Sequence, residues 1–177
     1  MPMQDIAASM QRVESALRRR PQAGLHDDAP ATARWQSGTR IVASHADGTQ
    51  VLTDMPREIG GSGEHVTPGW LFLAGLASCA ATRIAMGAAA AGLELAVLEV
   101  RAGSRSDTRG FLGMADADGA PVCAGPSDVQ MHVRIAAPGV SPERLRALVE
   151  DSHRCAPVAS AVQDATPVVV HIDIDTN

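Results

Sequence analysis

Residues 67–92 read TPGWLFLAGLASCAATRIAMGAAAAG, and Arg83 is the one charge in the run. Thr67 is placed as an N-cap with Pro68 at the first helical position, and Gly92 is placed to end the element. The spacing therefore predicts one long helix, apolar on every side. Such a helix must be covered all round, so it is expected at the centre of the fold. One small sheet covers only one face. The alanine and glycine surface accepts a second helix at close range, and a subunit interface is its natural source. A homodimer with residues 68–91 in the interface is the expectation. The stretch is long enough to cross a bilayer, but Arg83 interrupts it and alanine and glycine drive insertion weakly. A soluble protein is the better reading.

Upstream of this helix, Ile6, Met10, Val13 and Leu17 recur at helical spacing and predict an amphipathic helix over 4–20. That stripe is expected to pack on the dimer, and Arg18, Arg19 and Arg20 suit its C-terminal dipole. Residues 21–30, PQAGLHDDAP, are rich in breakers and form a linker. The organisation is thus an N-terminal helix and linker over 1–30, then a domain over 31–177. ATARWQSG, TRIVASHADG and TQVLTDMP read as three short strands joined by Ser-Gly and Asp-Gly turns, a β-meander. PREIGGSGEHVTPG is a glycine-rich loop entering the long helix.

Downstream, residues 94–105 read as a strand and SDTRGFLGMADADGAPVCAGP as a long glycine-rich excursion. Val129, Met131, Val133 and Ile135 alternate as a half-buried strand. Ser141 and Pro142 open a helix, a second short helix starts near Pro157, and TPVVVHIDID reads as the closing strand. This order is α+β, without the regular alternation of a parallel α/β sheet.

The 177 residues carry a net charge of −5, and every one of the 15 basic side chains is arginine. An acidic chain lacks the basic face that nucleic acid or anionic lipid requires, so neither is an expected partner. Three cysteines are too few for a disulfide framework, which fits a reducing, cytoplasmic setting. The first residues lack the order of a signal peptide. With no CxxC and no HxxxH, no metal is expected, and GGSG at 60–63 lacks the lysine of a phosphate loop.

Cys79 stands mid-helix, where an inert buried thiol is the ordinary outcome. Arg83, one turn on, is a cation able to favour thiolate if both face the same space. Cys155 precedes a proline-started helix and follows Arg154, so it too is either incidental or a reactive thiol. Two such cysteines in a chain without metal spacing point to a dithiol pair. Cys123, in APVCAGP, reads as incidental.

The run MPREIGGSG…TPGWLFLAGLASC, followed by CAPVASAV and a last strand, resembles the OsmC/Ohr family of osmotically inducible and organic-hydroperoxide-resistance proteins over about residues 31–175. The resemblance implies an intertwined homodimer with antiparallel sheets around long central helices, here with an extra N-terminal helix. It implies a bacterial thiol peroxidase that reduces organic hydroperoxides in oxidative-stress defence, is reduced by a dithiol and needs no cofactor. Cys79 matches the peroxidatic position and Cys155 the resolving one. Arg40 best matches the activating arginine of the meander, with Arg34 as rival. Two positions depart from the pattern. Gly69 stands where the family carries a glutamate, which Glu64 or Glu58 would have to replace from the loop, and CAPV shifts Cys155 by one place. The alternative is a non-catalytic OsmC-like dimer binding a small apolar ligand between its subunits.

Overall fold

The proline and serine or threonine caps read from the sequence set the helices where they were expected. In the computed structural model, which describes residues 3–175, α2 runs Pro68–Ala90 with the Thr67 side chain accepting from Trp70 N. α4 runs Pro142–Arg154 behind a Ser141 cap, and α5 runs Pro157–Gln163. An amphipathic α1 covers Met3–Arg19, and a four-residue α3 lies at Thr108–Phe111.

The strands form two separate antiparallel sheets. β1 (Thr32–Ser37), β2 (Arg40–Ser44) and β3 (Gln50–Thr53) make the predicted meander, with Trp35 opposite Ile41 and Ile41 opposite Thr53. β4 (Val97–Arg105) pairs with β5 (Ser127–Ala136), Arg101 facing His132 across the ladder.

The core lies between the β4–β5 sheet, α2, α4 and α5. Leu76, Ala156 and Ala159 centre one buried cluster, and Ile84, Ala88 and Leu148 centre the other. Val129, Met131, Val133 and Ile135 alternate inward onto them, as their period of two requires. α1 packs on α2, where Met3 joins the second cluster; Ile6, Met10 and Leu17 are half-buried and Val13 is exposed.

One expectation is corrected. The closing strand TPVVVHIDID is not a strand in the single chain. Residues 167–175 pair with nothing among the described residues, and Val168, Val170, Ile172 and Ile174 are 75–86% exposed. A strand needs a neighbouring edge, and the chain presents none to this segment. Within the single chain α2 is covered along one face: Leu76, Ala80, Ile84 and Ala88 are buried there, while Trp70, Ser78 and Thr82 are exposed. The β1–β2–β3 sheet packs substantially on no other element, so it leaves the rest of α2 bare.

Candidate functional site

The glycine-rich loop between β3 and α2 is built around one carboxylate. Asp54, at the end of β3, is 1% exposed and keeps four donors. Thr39 Oγ1 and the Met55 N–H (2.8 Å) donate to Oδ1, and the Ser62 N–H (2.9 Å) and Oγ (2.5 Å) donate to Oδ2. A buried carboxylate is tolerable only when its lone pairs are met in this way. These bonds, Ser62's first and Thr39's next, hold its carboxyl well below the usual carboxylate range. The loop closes because Gly61 carries no Cβ: one built there would collide with the Met55 carbonyl.

Arg40, first residue of β2, reaches into this loop. Its Nε lies 3.8 Å from Asp54 Oδ2, and its Nη2 donates to Ser62 Oγ (3.3 Å) and Glu64 Oε2 (2.5 Å). Nη1 keeps no hydrogen bond among the described residues, so one edge of the guanidinium stays open. Of the two loop carboxylates weighed as stand-ins at the start of α2, Glu64 contacts the arginine. Glu58 is exposed on a 3-10 turn and makes no such contact. Arg34 lies exposed on β1.

Cys79 lies half-buried on α2 against Leu76, Ala156 and Ala159. Ala156 directly follows Cys155, which closes α4 and is exposed, so the α4–α5 junction lies on the same cluster as Cys79. A cavity of about 370 Å3 adjoins that cluster, walled by Leu76, Ala80, Met131 and Ala159 and edged by His153. Arg83 does not turn toward Cys79: its Nη1 meets Met86 Sδ at 3.8 Å, and its buried Nε lacks a partner among the described residues. Cys123 is exposed beside α3 and belongs to neither cluster.

The chain does not bring Arg40 to Cys79. The meander is tied to the start of α2, where Thr53 bridges to Val66 and the Asp54 N–H donates to the Val66 carbonyl (3.0 Å). Cys79 lies eleven residues beyond Pro68, which at about 1.5 Å per residue is roughly 16 Å along the helix. An arginine side chain does not span that. Sequence reading missed Asp54, Thr39 and Ser62. The available signal was an aspartate directly after a strand and two residues before a proline and a glycine-rich loop, the setting in which short polar side chains bind neighbouring N–H groups.

Comparison with known proteins bears on this arrangement. A family model described as OsmC-like protein matches residues 61–171. An OsmC-like protein from Mycoplasma pneumoniae is similar in structure, with 18% identity and a TM-score of 0.64 over 78% of this chain and 89% of that one. An organic hydroperoxide resistance protein from Elizabethkingia anophelis gives 22% and 0.59 over 78% and 90%. One from Vibrio cholerae, with captopril bound in one of its active sites, gives 25% and 0.53 over 78% and 88%. No curated protein matches.

Proposed function

This chain belongs to the OsmC-like protein family, and from that premise we propose that it is a cysteine-based peroxidase for organic hydroperoxides, acting in cytoplasmic defence against oxidative stress. The observation that carries the reading is the packing of Cys79 onto the cluster that holds Ala156, the neighbour of Cys155. Cys79 thus packs on the cluster to which the chain neighbour of Cys155 belongs, which supports pairing the two thiols. The adjoining apolar cavity suits the hydrocarbon part of a hydroperoxide.

The chemistry runs in two displacements. The Cys79 thiolate attacks the distal peroxide oxygen; an S–O bond forms, the O–O bond breaks, and the alkoxide takes a proton and leaves as alcohol. Cys155 then attacks the sulfur of the resulting sulfenic acid; an S–S bond forms and water leaves. A small dithiol returns both cysteines to thiols by disulfide exchange. An apolar wall alone disfavours thiolate, so the first step needs a cation. Arg40 is that cation in this proposal. Since its own chain ties it to the start of α2, about half that helix's length from Cys79, it serves Cys79 of the partner subunit in a homodimer.

The test is mass spectrometry after one equivalent of an organic hydroperoxide. Wild type is expected to yield a Cys79–Cys155 disulfide, and Cys155→Ser a sulfenic acid at Cys79. An unmodified Cys79 in both proteins would overturn the peroxidase and leave a family member that only binds its ligand.

A further inference from the structure

The loop that holds Arg40 has a composition that the requirements of folding do not explain. A turn between a strand and a helix needs backbone hydrogen bonds and glycines, and this one has them: Gly61 N–H donates to the Pro56 carbonyl and Gly63 N–H to the Met55 carbonyl. Beyond that it buries a carboxylate, and it spends that carboxylate's fourth lone-pair direction on the hydroxyl of Ser62, whose oxygen in turn accepts from Arg40 Nη2 and from the Glu64 N–H (3.2 Å). Asp54 therefore fixes Ser62, and Ser62 fixes both the guanidinium and the backbone of the residue whose carboxylate grips it. Two of the three guanidinium nitrogens are engaged by the loop, Nη2 in hydrogen bonds and Nε in the ion pair with Asp54, while Nη1 keeps no hydrogen bond among the described residues.

Position 69, on the first turn of α2, supplies no carboxylate. Nothing steric forbids one, because a Cβ there would meet only Thr67 Oγ1 at 3.8 Å. We propose that Glu64 is the positioning residue for Arg40, with Asp54 as its buried anchor acting through Ser62, so that the loop does the orienting that a side chain at position 69 does not. The inference rests on the reading of Arg40 as the cation that favours Cys79 thiolate, and it adds what sets that arginine's direction.

Charge sign makes the proposal testable. Glu64 is negative, so through space alone it opposes thiolate formation, and neutralising it would make Cys79 reactive at lower pH. If Glu64 instead aims Arg40, neutralising it lets the guanidinium wander and makes Cys79 reactive only at higher pH. The two roles shift the same measurement in opposite directions.

The experiment follows the rate at which iodoacetamide alkylates Cys79 between pH 5 and 10, read on the Cys79 peptide. The proteins are wild type, Arg40→Ala, Glu64→Gln, Glu64→Asp and Asp54→Asn. Arg40→Ala is expected to move the midpoint upward by about one pH unit, the low end of what an adjacent opposite charge does. Glu64→Gln should move it upward by part of that, and Glu64→Asp should restore most of it. Asp54→Asn should behave as Glu64→Gln if it folds. Glu64 is 60% exposed, so the Gln variant does not depend on that condition. A downward or absent shift in Glu64→Gln alongside an upward one in Arg40→Ala would overturn the positioning role and leave the cation role standing. No shift in Arg40→Ala would overturn both.

Discussion

At the scale of single residues, Asp54 makes the most direct statement about conditions. Hydrogen bonds from Ser62 and Thr39 depress its folded-state pKa below the ordinary 3.8. A depressed carboxylate contributes stability that is complete above the unfolded value and is lost as pH falls through it toward the folded one. Wild type should therefore hold a steady Tm from pH 7 to about 5 and lose it steeply below about 4, whereas Asp54→Asn should start lower and fall less steeply over that acid range. Equal slopes for the two proteins in a thermal melt series would sink this account. Packing gives a second outcome. Ile84 is 1% exposed at the centre of its cluster, so Ile84→Ala is expected to cost about 2–5 kcal/mol in urea unfolding, transfer and cavity together. Cys79 was singled out from its residue type and the family resemblance, and Arg40 from the resemblance alone. The Asp54–Ser62–Glu64 grip was not, because hydrogen bonds between side chains far apart in sequence leave no periodicity to read.

At the scale of elements, legibility follows how locally each element is determined. α2, α4 and α5 begin at proline with a polar or small residue before it; the first two begin where their caps predicted and α5 at the predicted Pro157. The meander was equally readable, since Gly38 and Gly48 take positive φ at its two turns. Thr67→Ala removes the cap of the longest helix and should lower stability by about 0.5–2 kcal/mol. A midpoint unchanged in urea would show that Trp70 N finds another acceptor. The C-terminal segment marks the limit. Its alternation is as clear as that of β5, yet only β5 pairs, because alternation specifies a face to bury and not the edge that receives it. α1 lies in between: its period fixed the helix, while its stripe settled only partly, with Val13 left 57% exposed.

At the scale of the whole molecule, surface area turns these loose ends into one argument. The chain exposes 13227 Å2, against about 8,200 Å2 for a compact monomer of its mass. The excess, roughly 5,000 Å2, coincides with a sheet that packs substantially on no other element, a half-bare apolar helix and an apolar C-terminal segment. Even if half of it belonged to extended termini, the remainder would exceed what a standard interface buries from one partner. The chain is therefore expected as a dimer of twice 18.4 kDa by light scattering, and removal of residues 166–177 should weaken it. A two-fold axis makes the contact reciprocal, so a meander laid on the partner's α2 brings Arg40 to that chain's Cys79 twice over. Mixing decides whether it does. Alone, Cys79→Ser is expected to be inactive toward hydroperoxide and Arg40→Ala to keep about a tenth of wild-type turnover, the fraction left by a one-unit rise in thiol pKa. After co-refolding, the mixed dimer holds one site with an intact Cys79 from the first chain and an intact Arg40 from the second. Recovery of about a quarter of wild-type turnover is expected, because random pairing makes half the dimers mixed and each of those has one working site of two. If the two residues served each other within one chain, every site would lack one of them, and the mixture would show no more activity than the average of its parts.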